Sequence, residues 1–222
     1  MVLIQTAPSL AEQVYQAILD DICEGRLPPT SHLVQEQLAD RFGVSRQPIQ
    51  QAMALLKADG LVEEVGRRGL YVAELDPGLM RHHYDIRAAL DRLAAGLSAD
   101  RAQRDPALAQ DIAARGGAIL ARGRKAMADE DTLDLIRADE AFHRLLYEAS
   151  GNPLLSGTAE SHWRFLRRAM SDVLRHAQPP ENIWRQHAGI LEAVVDGDRL
   201  RAETLAAQHI EVAADSLSAV LG

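Results

Sequence analysis

The hydrophobic pattern of this 222-residue chain is helical except at one place, and that single interruption does most to restrict its fold. As far as Gly60 the apolar residues recur every three to four positions. Over Leu61–Glu74 they fall into short β-type runs, and beyond Asp76 helical spacing returns and persists. Ser9-Leu10-Ala11-Glu12 reads as a capping box, and Leu10, Val14, Ala17, Ile18 and Ile22 carry a first helix to about Gly25. Leu27-Pro28-Pro29 breaks the chain. A short second helix, apolar at Leu33, Leu38 and Ala39, stops at Phe42-Gly43, where glycine can take the left-handed conformation. Ser45 is placed to cap a third helix, whose first turn tolerates Pro48 and whose buried stripe is Ile49, Ala52, Met53, Leu55 and Leu56. Leu61–Val65 and Leu70–Glu74 then form a hairpin with a basic tip, Gly66-Arg67-Arg68-Gly69.

Three helices followed by one hairpin is the order of a winged helix-turn-helix. Asp76-Pro77-Gly78 supplies a turn, an N-cap and a proline at the first helical position, so a domain over residues 1–76 is expected to give way to another over 77–222. In the second domain Asp76-Pro77, Asp105-Pro106 and Asn152-Pro153 start helices, Gly151 and Gly197 stop them, and Asp198 can cap the last. The helices expected are roughly 77–101, 106–128, 131–150, 153–176, 181–196 and 198–220. The fold class is therefore mainly α: an N-terminal winged helix-turn-helix with a small β-hairpin, then a C-terminal all-α six-helix bundle. The 36 alanines and 4% aromatic content agree with helix over sheet.

No apolar run approaches the ~18 residues of a membrane-spanning helix. The opening MVLIQTAPSL has no basic segment ahead of an apolar one, and a single cysteine makes no intrachain disulfide, so a cytoplasmic setting is expected. The net charge of -8 argues against a nucleic-acid partner until it is divided along the chain. Residues 1–76 hold 6 Lys+Arg against 11 Asp+Glu, but within 41–68 Arg41, Arg46, Lys57, Arg67 and Arg68 outnumber Asp59, Glu63 and Glu64. Positive charge is thus concentrated at the third helix and the hairpin. There Ser45, Arg46, Gln47 and Gln50 are placed to meet DNA, Arg46 pairing with guanine and a glutamine with adenine or phosphate, while Arg67 and Arg68 suit phosphates or the minor groove. The bland alternative is a solvated helix start.

The residues Leu38-Ala39-x-x-Phe42-Gly43-Val44-Ser45-Arg46-x-Pro48-Ile49, then Leu55-x-x-x-x-Gly60-Leu61-Val62 and the Gly-Arg-Arg-Gly wing, resemble the winged-helix domain of GntR-type bacterial transcriptional regulators. The resemblance covers most of residues 9–74 and has two departures. Pro29-Thr30 stands where many members have Pro-Gly, and Gln50 stands where they usually have an arginine that contacts DNA. Losing that arginine lowers the salt dependence of binding by about one unit of slope. One weakly charged copy implies a homodimer on the two half-sites of a palindromic operator.

In the bundle the informative residues are ionisable groups on apolar faces. Asp139 and His143 are one helical turn apart among Leu135, Ile136, Phe142, Leu146 and Tyr147. His187 lies among Ile183, Trp184, Ile190 and Leu191, and His209 near Leu205, Val212 and Ala213. An acid and three histidines converging from three helices suit a divalent transition metal, zinc or nickel first, with manganese, iron or cobalt possible. The alternative is that each histidine is simply hydrogen-bonded in the core. His32, His82, His83, His162 and His176 read as surface or secondary packing residues.

Arg87 with Asp91, Asp139-x-x-Phe142-His143, Gly151-Asn152-Pro153-Leu154, and His187-x-x-Ile190-Leu191-x-Ala193-x-x-x-Gly197-Asp198 with His209 resemble the FCD effector domain of the FadR subgroup of these regulators. Six helices point to its VanR-like branch. The resemblance implies that Asp139, His143, His187 and His209 hold a metal ion, with about two coordination positions left for water or a small carboxylate. Arg87 would be a second anchor for the acid, or else a surface salt bridge with Asp91. The function expected is a dimeric transcriptional regulator, a repressor whose operator affinity a small organic acid controls. A metal-dependent hydrolase is the alternative from another class, and a purely structural metal is a third reading.

Overall fold

The computed structural model describes residues 8–66, 69–174 and 182–221, so the expectations for Arg67, Arg68 and His176 lie outside the described residues. The chain divides into two compact units, up to Leu75 and from Asp76 onward. Among the described residues no helix is long and apolar enough to cross a membrane.

The first unit contains α1 (Leu10–Cys23), α2 (Gln35–Phe42), α3 (Arg46–Ala58), β1 (Val62–Glu64) and β2 (Leu70–Val72). The capping box forms: the Ser9 amide donates to Glu12 Oε2 at 3.0 Å and the Glu12 amide to Ser9 Oγ at 3.2 Å. Gly43 ends α2 in the left-handed conformation at φ 64°. Ser45 occupies the N-cap of α3, but its side chain makes no capping hydrogen bond. The hairpin pairs Val62 with Val72 and Glu64 with Leu70, in strands of three residues rather than the expected five. What the period-two pattern missed is a third extended edge. The Thr30 amide donates to Val72 O at 2.8 Å and Leu33 to Leu70 O at 2.8 Å, and His32 bridges and stacks on Tyr71. Its segment follows two prolines and has no alternation of its own, so only the partner strand reveals it.

Ile18, Leu19, Ile49, Leu56, Leu61 and Val72 form the centre of this unit and are fully buried. Each such side chain contributes about 1.5–3 kcal/mol relative to exposure. Beside them lies the buried carboxylate of Asp21, paired with Arg26 at 2.6 Å and Arg41 at 2.5 Å. Burial pushes its pKa up, and the hydrogen bonds from Arg41 and Arg26 more than reverse that, so it ionises below the ordinary carboxylate range.

Among the described residues the second unit forms six helices: α4 (Pro77–Arg104), α5 (Pro106–Ala128), α6 (Thr132–Ala149), α7 (Pro153–Leu174), α8 (Ile183–Val195) and α9 (Arg199–Leu221). The cap residues act as the sequence suggests. Asp76, Asp105, Asn152 and Asp198 each accept a backbone amide of the helix that follows. α4 and α9 run antiparallel, tied by Arg81 to Asp215 at 2.6 Å and Arg92 to Glu203 at 3.6 Å. α5 meets α8 through Gly116 and Gly123, two turns apart, which receive Leu191 and Trp184 respectively. That close approach seats the α8 helix, and with it His187, against the bundle core.

Three substitutions test these contacts. Thr30 has φ 68°, a left-handed position where a β-branched side chain is strained by about 1–2 kcal/mol. Thr30→Gly is expected to stabilise the first unit by about 1 kcal/mol or less, after the entropy of the extra glycine is subtracted, read as a higher urea midpoint. At Gly123 a Cβ would stand 2.1 Å from the Trp184 ring, whereas at Gly117 it would meet nothing within 4 Å. Alanine is favoured over glycine in a helix by about 1 kcal/mol. Gly117→Ala is therefore expected to stabilise the bundle, and Gly123→Ala to destabilise it by about 1–2 kcal/mol because overpacking outweighs propensity. Denaturant melts of the pair should move in opposite directions.

Candidate functional site

Three helices of the bundle deliver the four residues singled out in the sequence. Asp139 and His143 project from one face of α6, His187 comes from α8 and His209 from α9. All four are buried, and each offers a ligand atom within 4.8 Å of the others. His187 Nε2 lies 3.2 Å from Asp139 Oδ1 and 3.3 Å from His143 Nε2, and His143 Nε2 lies 3.9 Å from Asp139 Oδ1. Donors bound at about 2.0–2.1 Å to one ion stand about 3.0–3.4 Å apart at right or tetrahedral angles, and about 4 Å apart as the angle opens. Asp139, His143 and His187 are thus spaced as donors to a single transition-metal ion, and with His209 the set could hold one. It also needs a cation or proton at its centre, since two imidazole nitrogens and a carboxylate oxygen otherwise aim lone pairs at one another.

Neighbouring groups hold the rings in place. His143 Nδ1 faces Asp91 Oδ2 at 3.4 Å, and His209 Nδ1 meets Gln186 Oε1 at 2.8 Å, which leaves the Nε2 lone pair of His209 free. Asp91 also accepts from Arg87 Nε at 3.1 Å, and Arg87 Nη2 stands 3.8 Å from Asp139 Oδ2. One guanidinium thus spans a ligand carboxylate and the carboxylate behind a ligand imidazole. It lies over the Trp163 ring at 3.8 Å, and the Trp163 indole N–H donates to the Tyr147 hydroxyl at 3.3 Å. The Arg87–Asp91 pair proposed from their spacing exists, but it is fully buried rather than at the surface.

Burial and charge set the protonation states. Burial alone would raise the Asp139 carboxyl, but the hydrogen bond to His187 and the positive charge around it, Arg87 included, hold it far below the usual range. Burial pushes the His187 imidazole down, only partly offset by Asp139. His209 is pushed further down, by burial and then by the neighbouring histidines. Arg87 stays charged because Asp91 and Asp139 outweigh its desolvation. An ionised carboxylate with neutral imidazoles is the form in which these groups bind metal.

Next to the cluster is a cavity of about 50 Å³. Arg87, Asp139 and His209 contribute its polar wall, and Leu135, Met170 and Leu217 are among its apolar residues. Tyr84 and Trp184 line it too, and sequence reasoning did not single them out because both read as ordinary core aromatics. Among the outlying histidines, His83 stacks on Phe165 at 4.2 Å and faces His162 at 2.9 Å, a packing pair within the bundle.

In the first unit Ser45, Arg46, Gln47 and Gln50 are all exposed at the start of α3. The local excess of positive charge is smaller than the tally implied. Arg41 is committed to Asp21, Arg46 Nη2 pairs with Glu36 at 2.5 Å, and Lys57 with Glu64 at 2.8 Å. The last two pairs are open to solvent and easily exchanged for a phosphate or base.

Profiles of two known families match the chain: "Bacterial regulatory proteins, gntR family" over residues 10–72 and "FCD domain" over residues 82–212. The HTH-type transcriptional repressor RspR of Escherichia coli K12 is 26% identical over 206 residues, spanning 93% of this chain and 88% of its own. An uncharacterized HTH-type transcriptional regulator of Bacillus subtilis 168, YdhC, is 29% identical over 219 residues, 94% and 91% of the two chains. In fold the chain resembles Escherichia coli McbR/YncC at TM-score 0.77 and 19% identity, covering 94% of this chain and 97% of that one. A GntR regulator from Rhodococcus sp. RHA1 superposes at TM-score 0.75 and 20% identity, covering 93% and 96%. RspR and YdhC are named as transcriptional regulators and both matched families are regulatory, which removes the hydrolase alternative. With the FCD profile alone spanning more than half its length, the chain belongs to the GntR family of bacterial transcriptional regulators, among the members that carry an FCD domain.

Proposed function

We propose that this regulator is a homodimeric repressor that binds a palindromic operator through α3 and the wing, and that a small carboxylate bound at a metal ion in the bundle controls its affinity. The observation that carries the reading is the fit of the four buried donors to one ion, with an anionic oxygen ligand and a buried guanidinium beside the same cavity. The ion, zinc or nickel by its three nitrogens and one oxygen, would supply a Lewis-acidic centre with about two exchangeable positions. Asp139, His143, His187 and His209 would hold it. Asp91 and Gln186 keep His143 and His209 in the tautomers that expose Nε2. Arg87 is placed to donate from Nη2 to a carboxylate in the cavity. Coupling between effector and operator is typically worth about 1–3 kcal/mol.

Three features of the first unit support the DNA reading: the exposed start of α3, the short hairpin after it, and ion pairs of Arg46 and Lys57 that water already competes for. Ser45 Oγ, unused in capping, is free to accept or donate at a phosphate.

Purified protein is expected to carry about one transition-metal ion per chain by mass spectrometry, and a combined alanine substitution of Asp139, His143, His187 and His209 to carry none. Both tryptophans of the chain flank the cluster, with Trp163 5.4 Å from His143 and Trp184 4.9 Å from His187 between ring centres. Removing the ion by chelation should therefore change intrinsic fluorescence in the native protein alone. Equal metal content in the two proteins would reject the site. On the DNA side, duplexes selected by the native protein from a random library should show two related half-sites. Arg46→Ala should weaken binding to them by about 10–100-fold, the worth of one bidentate base contact. An unchanged affinity would reject α3 as the reading helix.

A further inference from the structure

The cavity beside the metal cluster is lined by hydrogen-bond donors that the protein does not use. Tyr84 Oη, Trp184 Nε1 and Arg87 Nη2 are buried and find no hydrogen-bond partner in the protein, and all three residues line the same cavity. Tyr84 and Trp184 are 2% and 3% exposed, so bulk water does not serve them. No acceptor of the lining stands within hydrogen-bond distance of them: Asp139 Oδ1 faces His187, and Asp139 Oδ2 stands 3.8 Å from Arg87 Nη2, an ion pair without a hydrogen bond. Such buried donors are costly unless an occupant supplies acceptor oxygens.

A carboxylate that reaches the ion and Arg87 uses only part of this set. The two aromatic donors lie beside different parts of this set, Tyr84 beside Arg87, with the guanidinium 5.9 Å from its ring centre, and Trp184 beside His187. Charge limits what the second acceptor can be. A divalent ion, Asp139, Asp91 and Arg87 sum to one positive charge when the histidines are neutral. A monoanion neutralises it, whereas a dicarboxylate leaves an unpaired negative charge in an apolar enclosure. Resting on the reading of a carboxylate at the metal, we propose that Tyr84 and Trp184 are the specificity-determining residues of the effector site, and that the effector is a short monocarboxylate carrying an uncharged acceptor oxygen, a hydroxyl, carbonyl or ether, along its skeleton. A site with buried donors rejects an analogue that lacks the matching oxygen far more strongly than an apolar pocket rejects a missing methylene.

Calorimetric titration of the zinc-loaded full-length protein with butanoate, both enantiomers of 3-hydroxybutanoate, 3-methoxypropanoate and butanedioate tests this. At least one oxygen-bearing monoacid should bind about tenfold or more tightly than butanoate, and butanedioate should bind more weakly than that acid. In Tyr84→Phe and Trp184→Phe, which keep an aromatic ring and are first checked for full zinc content, the advantage of that acid over butanoate, measured within each variant, should shrink to about threefold or less. Equal binding of all the monoacids, tightest binding of butanedioate, or an undiminished preference in both variants would overturn the assignment while leaving the carboxylate reading intact. If no acid binds the zinc-loaded native protein, the carboxylate reading itself falls and this inference with it.

Discussion

Everything in the bundle is arranged around one electrostatic constraint: charged groups enclosed in an apolar core must balance one another. Arg87, Asp91 and Asp139 come from two helices and are almost without solvent, so each depends on the others for its charge. The guanidinium between the two carboxylates fixes α4 against α6. Through Asp91 it also reaches the imidazole of His143, and through Asp139 the imidazole of His187. Any ion held by the four donors would enter this balance directly. Its arrival would add positive charge to a site that already contains a guanidinium, the physical ground for the anionic effector proposed above.

The packing that brings α8 into this arrangement depends on two missing side chains. Gly116 and Gly123 let Leu191 and Trp184 settle against the backbone of α5, and His187 lies between those two residues on α8. Glycine is unfavourable within a helix, which makes these positions a local cost that the tertiary contact offsets. The same exchange appears in the first unit, where Thr30 holds a left-handed backbone so that its amide can reach Val72 of the wing. There the strain is borne by a β-branched residue poorly suited to it.

The acidic character of the first unit takes on a physical meaning once its pairs are known. Arg41 is structural, anchoring the buried Asp21, and only loosely paired cations remain for DNA at α3. Non-specific attraction to a polyanion is therefore weak, and under the proposed reading affinity would come from geometry, the exposed start of α3 repeated at two half-sites. Glu36 beside Arg46 adds a local repulsion toward phosphate.

Local chemistry was legible in the sequence because it acts over one helical turn. The capping box at Ser9, the aspartates before Pro77 and Pro106, and the glycine stops at Gly43, Gly151 and Gly197 are short-range devices, and the helix limits they set agree with the structure to within three residues. The i, i+4 relation of Asp139 and His143 was readable for the same reason. Other features needed the fold. Residues 30–33 become a sheet edge only when β2 lies beside them. Ser45 sits at a helix start without capping it. Arg41, counted toward a DNA-binding patch, is drawn away by a carboxylate twenty positions earlier. The sequence by itself determined the helices, the hairpin and the residue types able to hold an ion. Only tertiary packing decided that those donors converge, that Arg87 is buried between two carboxylates, and that Tyr84 and Trp184 keep unused donors at a cavity, because such contacts join helices whose relative positions no local pattern encodes.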